Sequence, residues 1–343
     1  MFRYTNHGYS SDTVTGTTSE VVESMWKYSL PFLLLLIIGL FWFLFPSKTT
    51  ILRIGGGPAG GTFILFSEGM ADLLRQNGFG QDVDVSSSGG SVANLRAVEA
   101  GRVDFALVYS GDAYLGRTGL LKDEPARYTS VRALCRLYGS AAQLAVSKSG
   151  VIDSIEDLVG RRIAIGSHGS GSAHSAERYF STLGMWDVMT PLYMGYDLGM
   201  RELLGGRAEA VWQLVGAPSA SITEINRRYP LRLLELAEYG RDSDFFRDYP
   251  FYTEKVIPEG TYDGQVEAVA SFQDNTLLVA NVATPPELVD LVLKALFSPA
   301  GKQKLVSFHP VARELDVKTA LHGIEIPLHP AAERFWKQRG LLQ

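Results

Sequence analysis

The sequence predicts an α/β fold of two similar lobes, on three observations. Short apolar runs end in glycine- and serine-rich loops that open amphipathic helices, around residues 51–62, 83–91 and 161–172. The order of these parts repeats further along the chain. A length of 343 residues, 46% of them apolar and 20% charged, supplies core for two ordinary lobes.

Residues 1–27 are rich in Ser and Thr and read as a short disordered tail. From Tyr28 to Pro46 the chain runs YSLPFLLLLIIGLFWFLFP, with no charge between Lys27 and Lys48. That is about 17–18 apolar residues, enough to cross a bilayer's hydrocarbon core. A secretory signal would leave through a small-x-small cleavage site, whereas the exit here is FLFPSKTT, so 28–46 is predicted to be an uncleaved transmembrane anchor. Arg3 and Lys27 precede the span while Lys48 and Arg53 follow it, and counting positive charges does not decide the orientation.

After the anchor, ILRI leads into GGGPAGG and a helix with Phe66, Met70, Leu73 and Leu74 on one face. VDV leads into SSSGGS and a helix carrying Val92, Leu95 and Val98, stopped at Gly101; RRIAI leads into GSHGSGS and a helix through Ala173, Ala176, Phe180 and Leu183, stopped at Gly184. This rhythm predicts mostly parallel sheets with a ligand at the strands' carboxyl ends. LRAVEAGRVDFALVYSGDA at 95–113 aligns with MRELLGGRAEAVWQLVGAP at 200–218, an offset of 105 residues, and Ile54–Gly55 has a counterpart in Ile165–Gly166. Two lobes in tandem follow.

A net charge of −5 without any Lys/Arg block disfavours nucleic acid as a partner. The single cysteine, Cys135, leaves no intramolecular disulfide or thiolate cage and reads as a small buried hydrophobe. Gly55, Gly57 and Gly60 spell a dinucleotide fingerprint, and Gly55, Gly60 and Thr62 a phosphate loop with Gly61 in place of its lysine. The strand that should end in an acidic ribose reader ends in serine and glycine, with Asp84 inside it. No nucleotide and no cofactor is expected. His168, Ser170 and His174 invite a hydrolase reading, but His168 and Ser172 stand where a nucleophile elbow needs glycines. The two histidines also lack a third metal ligand nearby, which makes His168 a loop residue and His174 a solvent-facing helix residue. What the three glycine loops share is unpaired N–H groups at a helix's positive end, suited to a small anion such as a carboxylate.

The residues also resemble a known family, the TAXI solute receptors of tripartite (TRAP) transporters. GGGPAGGTF at 55–63, SSGGSVANLRAVEAGRVDFALV at 87–108, DLVGRRIAIGSHGSGSAHSAERYFSTLGM at 157–185, GAPSASITEI at 216–225, YPFYTEKVIPEGTYDGQ at 249–265 and IPLHPAAERFW at 326–336 carry the likeness in order. The resemblance implies a two-lobed periplasmic-binding-protein-like (type II) fold, lobe 1 formed by 51–137 plus 250–343 and lobe 2 by 138–249. It implies capture of a small carboxylate, a glutamate-like amino acid or an oxo-dicarboxylate, for permease subunits in the inner membrane, and no enzymatic activity. The implied ligand contacts are Gly60, Gly61, Thr62, Ser91, Asn94, Tyr109 and Ser110 from the first lobe. Ser170, Gly171, Ser172 and the loop Gly216, Ala217, Pro218 come from the second, and Tyr138, near the crossover, is a further candidate with packing at the hinge as its alternative role. Ser91, Asn94, Ser170 and Ser172 have helix capping as their alternative role. Two departures stand out: Phe63–Ile64 replace a pair of tyrosines, and Tyr109 replaces a glutamine. The anchor leaves a second reading, a ligand-sensing module of the same fold not coupled to transport.

Overall fold

The computed structural model describes residues 51–79, 82–124 and 126–342, with positions 1, 3 and 40 in isolation. The expected tail and, apart from Leu40, the expected anchor at 28–46 lie outside the described residues. Among the described residues no helix is long and apolar enough to cross a membrane.

The first βα units are β1 (Leu52–Gly55), α1 (Thr62–Leu74), β2 (Val83–Ser86), α2 (Ser91–Glu99), β3 (Phe105–Tyr109) and α3 (Ser110–Thr118). β1 pairs in parallel with β2 on one side and β3 on the other. β3 is FALVY, buried at every position, as expected of a strand covered on both faces. Helix α1 buries Phe66, Met70, Leu73 and Leu74, the face its spacing predicts.

A 17-residue strand, β4 (Val131–Ser147), then carries the chain to a second set: β5 (Arg162–Gly166), α4 (Gly171–Thr182), β6 (Thr190–Tyr193), α5 (Tyr196–Leu204), β7 (Ala210–Val215) and α6 (Ala220–Asn226). Here β5 pairs in parallel with β6 and β7. β8 (Leu231–Leu233), α7 (Ala237–Asp242), α8 (Phe245–Asp248), β9 (Thr253–Ile257) and the 13-residue β10 (Val269–Asn281) return the chain, which ends in α9 (Pro286–Leu296), α10 (Pro299–Phe308) and α11 (Pro330–Lys337). The strand order is β2-β1-β3-β10-β4-β7-β5-β6, with β8 on β4 and β9 on β10. The expected parallel pairing therefore holds within each triple and gives way at the join, where β10 is antiparallel to β3 and β4, and β4 to β7. Two long strands that take the chain out and back run in opposite directions, so they pair without a further crossover.

The internal repeat has a physical basis. Arg53 of β1 donates its N–H to Asp104 Oδ2 at 2.8 Å, and its Nη2 to the Gly101 carbonyl at 3.3 Å. Arg162 of β5 does the same to Glu209 Oε2 at 2.9 Å and to the Gly206 carbonyl at 2.9 Å. Gly101 (φ 63°) and Gly206 (φ 67°) take the left-handed conformation that ends the preceding helix, which is why both positions are glycine.

The core behind the second triple is aromatic: Tyr179 lies 5.4 Å from Trp212, 5.2 Å from Phe272 and 5.1 Å from Phe245. Cys135 is fully buried and unpaired, its thiol pushed up by burial, as expected for a small hydrophobe.

Candidate functional site

A cavity of about 20 Å³ sits where the carboxyl ends of the strands from both triples meet. From the first set it is lined by Pro58 and Gly61–Phe63 between β1 and α1, by Gly89–Ser91 ahead of α2, and by Tyr109 at the end of β3. From the second set come Gly166, Ser167 and Ser170–Ser172 between β5 and α4, Gly195 and Tyr196 at the start of α5, and Val215 at the end of β7. The N-termini of α1, α2, α4 and α5 thus border one small space.

At three of these helices the N-cap is glycine, Gly61, Gly90 and Gly195, which offers no side chain to cap the first-turn N–H groups. The fourth is capped by Ser170, whose Oγ accepts the Ala173 N–H at 3.1 Å. No lining residue is charged. Four positive dipole ends facing each other with no formal charge between them favour an anion.

The two halves touch around the cavity. The Tyr109 hydroxyl donates to the Leu214 carbonyl, as does Tyr196 at 3.1 Å, and Thr62 Oγ1 donates to the Gly216 carbonyl at 3.4 Å. Burial, with Tyr196 next, raises the Tyr109 phenol well above its ordinary range, so it stays a donor. At the edge of the site Arg178 Nη2 meets Asp112 Oδ1 at 3.0 Å and Nη1 meets the Tyr252 hydroxyl at 2.9 Å. Burial opposes the Arg178 charge, yet Tyr252 and Asp112 hold its pKa above the ordinary value.

Of the residues expected from sequence, Gly61, Thr62, Ser91, Tyr109, Ser170, Gly171 and Ser172 line the cavity together. The other seven lie outside its lining. Gly60 (φ 76°) packs against Asp197 at the start of α5. Asn94 turns its amide to the carbonyls of Gly56 at 2.7 Å and Leu107 at 2.8 Å, tying α2 to two strands. Ser110 Oγ donates to the Gly323 carbonyl. Tyr138 is buried with its ring 5.2 Å from Phe66. Gly216 accepts from Thr62, the Ala217–Pro218 bond is cis, and the Pro218 carbonyl lies 3.1 Å from His309 Nε2. His309 Nδ1 accepts the Val311 N–H, so Nε2 carries the proton and donates to Pro218.

Neither Ser91 nor Asn94 caps its helix; Ser91 Oγ accepts the Tyr109 N–H at 2.9 Å. His174 is not solvent-facing as expected but 7% exposed, because it lies on the face of α4 turned toward the first set of elements. Burial lowers its pKa, and its Nδ1 has no partner among the described residues. His168 stacks on Tyr193 at 4.9 Å, and among the described residues no cluster could hold a metal ion.

Of the lining residues that sequence reasoning did not name, Pro58, Phe63, Gly89, Gly90, Gly166, Ser167 and Val215 lie close in sequence to expected contacts, and Gly195–Tyr196 is the one segment far from all of them. The signal was present, because the repeat offset of 105 residues places Gly195–Tyr196 on Gly90–Ser91.

The fold has counterparts. An R. palustris protein solved with adipate superposes with a TM-score of 0.51 at 19% identity, covering 86% of this chain and 93% of that one. A structure described as a periplasmic transporter gives 0.50 at 18% identity, with the same 86% and 93% coverage. These likenesses establish the two-lobed periplasmic-binding-protein-like α/β fold. The sequence model of the NMT1-like family matches residues 54–340, nearly everything that follows the first fifty residues. The chain belongs to the NMT1-like family.

Proposed function

We propose that this protein is an extracytoplasmic solute receptor that closes two lobes on a small carboxylate. The observation that carries the reading is the convergence of four helix N-termini, three without a side-chain cap, on a cavity with no charged side chain. Gly60, Gly61, Thr62, Ser91, Tyr109, Ser170, Gly171 and Ser172 are assigned to the ligand or to the closing surfaces around it. Asn94, Ser110, Tyr138, Gly216, Ala217 and Pro218 are assigned to holding these loops in place.

The lobes move about β4 and β10. β9 pairs with Val269–Gln273, on the part of β10 before its pairing with β3 at Thr276. That pairing supports a second crossover inside β10, near 273–276, in place of the division at 250; the first crossover stays near 138. The TAXI-like motifs support a TRAP-type permease as partner, with residues 28–46 as the tether to the inner membrane and with no catalytic step. Native mass spectrometry of the full chain in detergent tests the reading: release of a bound mono- or dicarboxylate is expected. Failure to bind any such acid in calorimetry refutes it.

A further inference from the structure

Resting on that reading, we infer that the ligand carries no ammonium group, and that this receptor selects dicarboxylates and oxo- or hydroxy-acids over the amino acids of the same skeleton. A serine hydroxyl offers one proton and two lone pairs, so what its oxygen accepts decides what remains for a ligand. Three buried serines line the cavity, and each oxygen is already an acceptor. Ser91 takes the Tyr109 N–H at 2.9 Å, Ser170 the Ala173 N–H at 3.1 Å, and Ser172 the Leu214 N–H at 3.3 Å. Ser91 is 1% exposed, Ser170 5% and Ser172 3%; the Ser172 hydroxyl is hydrogen-bonded to that of Tyr196, while the protons of Ser91 and Ser170 have no acceptor among the described residues. Ser91 and Ser170 are left to face the ligand space as donors.

The acceptors at the cavity are neutral oxygens, and the carbonyls among them keep one lone pair each. The carbonyls of Pro58, Gly90, Ser167, Gly195 and Val215 at the cavity edge each already take a hydrogen bond, at 3.2, 2.9, 3.0, 2.9 and 3.2 Å. The Leu214 carbonyl behind them is shared by two tyrosines. Two acids approach without lining the cavity. Asp112 is paired with Arg178, and Asp197 stands over Gly60. An ammonium placed here would meet O–H and N–H donors and four positive helix ends, with no carboxylate in the cavity lining to pair with. A carboxylate, keto or hydroxyl oxygen meets the donors it needs.

Calorimetry on the full chain tests this with pairs that differ only by the ammonium: succinate and aspartate, glutarate and glutamate, adipate and 2-aminoadipate. In the tightest-binding pair the amino-free acid is expected to bind at least about tenfold more tightly, the scale set by one uncompensated buried charge. A preference smaller than that, or one favouring the amino acid, overturns the inference while leaving the carboxylate reading intact. Absence of binding by all six overturns both.

Discussion

Gly171→Ala separates closure from folding. Gly171 opens α4, where alanine is the better helix former by up to about 1 kcal/mol. In the closed arrangement, however, a Cβ at this position would overlap Asp112 Oδ2 and stand 2.6 Å from Tyr109 Cδ2, both on the opposite lobe. Neither neighbour yields easily. Asp112 is tied to Arg178, and the Tyr109 ring lies 4.9 Å from Phe63 with its hydroxyl on Leu214. Overpacking of this kind costs about 1–3 kcal/mol, and it falls on the closed state alone. Ligand affinity should drop by about 5- to 150-fold, while each lobe keeps its own packing and helix α4 gains. Calorimetric titration with the tightest dicarboxylate measures the first effect, and small-angle scattering with saturating ligand should show a more open particle than wild type. An affinity within twofold of wild type would refute the closure geometry argued here.

Ser91→Ala should weaken binding and, with the Tyr109 N–H left buried and unpaired, show a loss of about 1–3 kcal/mol in thermal unfolding as well. Asn94→Ala removes two amide bonds to strand carbonyls and should lower stability by a similar amount, with affinity affected less, as denaturant titration beside calorimetry will read. His309 is buried as the neutral imidazole, with its pKa lowered from 6.5 to about 4. The unfolded chain takes up the proton first as pH falls, so about 3 kcal/mol of stability present above pH 6.5 should be lost on acidification to about pH 4. His309→Gln should flatten that part of the pH profile, and an unchanged slope in the variant would exclude the assignment. Arg178→Met strands the Asp112 carboxylate and should cost about 3–5 kcal/mol; adding Asp112→Asn should recover part of it in chemical denaturation.

The fold was legible because its signals are local and repeated. Glycines in the left-handed conformation stop helices at Gly101, Gly184 and Gly206, and strand–loop–helix junctions recur with the same order. The antiparallel join was not legible, since the partner of a long strand such as β4 lies far away in the chain and its burial on both faces erases any alternation. The same limit applies to the candidate site. Backbone donors at glycine loops can be read from composition, and seven of the fourteen expected residues do line the cavity. Asn94 and Ser110 could not be sorted from Ser91 by type, because what separates them is which strand end or distant loop each side chain faces. His174 was misplaced for a related reason: helix periodicity shows that a face is polar, but not that another lobe covers it.

The contacts that close the cavity also bear on how a ligand would be sensed. Leu214 is the meeting point: its carbonyl accepts from Tyr109 of one lobe and Tyr196 of its own, and its N–H donates to Ser172. With Thr62 on Gly216 and His309 on Pro218, the lobes hold several direct hydrogen bonds that need no ligand atom. A ligand can shift the open–closed equilibrium only by its differential affinity for the two states. That difference must therefore come from groups left unsatisfied on closure, which are the uncapped N–H groups of three helices and the protons of Ser91 and Ser170. They belong to both lobes, so an anion touching one lobe alone gains only part of them. Only an acceptor reaching across the cavity satisfies the full set, and the arrangement makes closure a report on ligand chemistry rather than on mere occupancy.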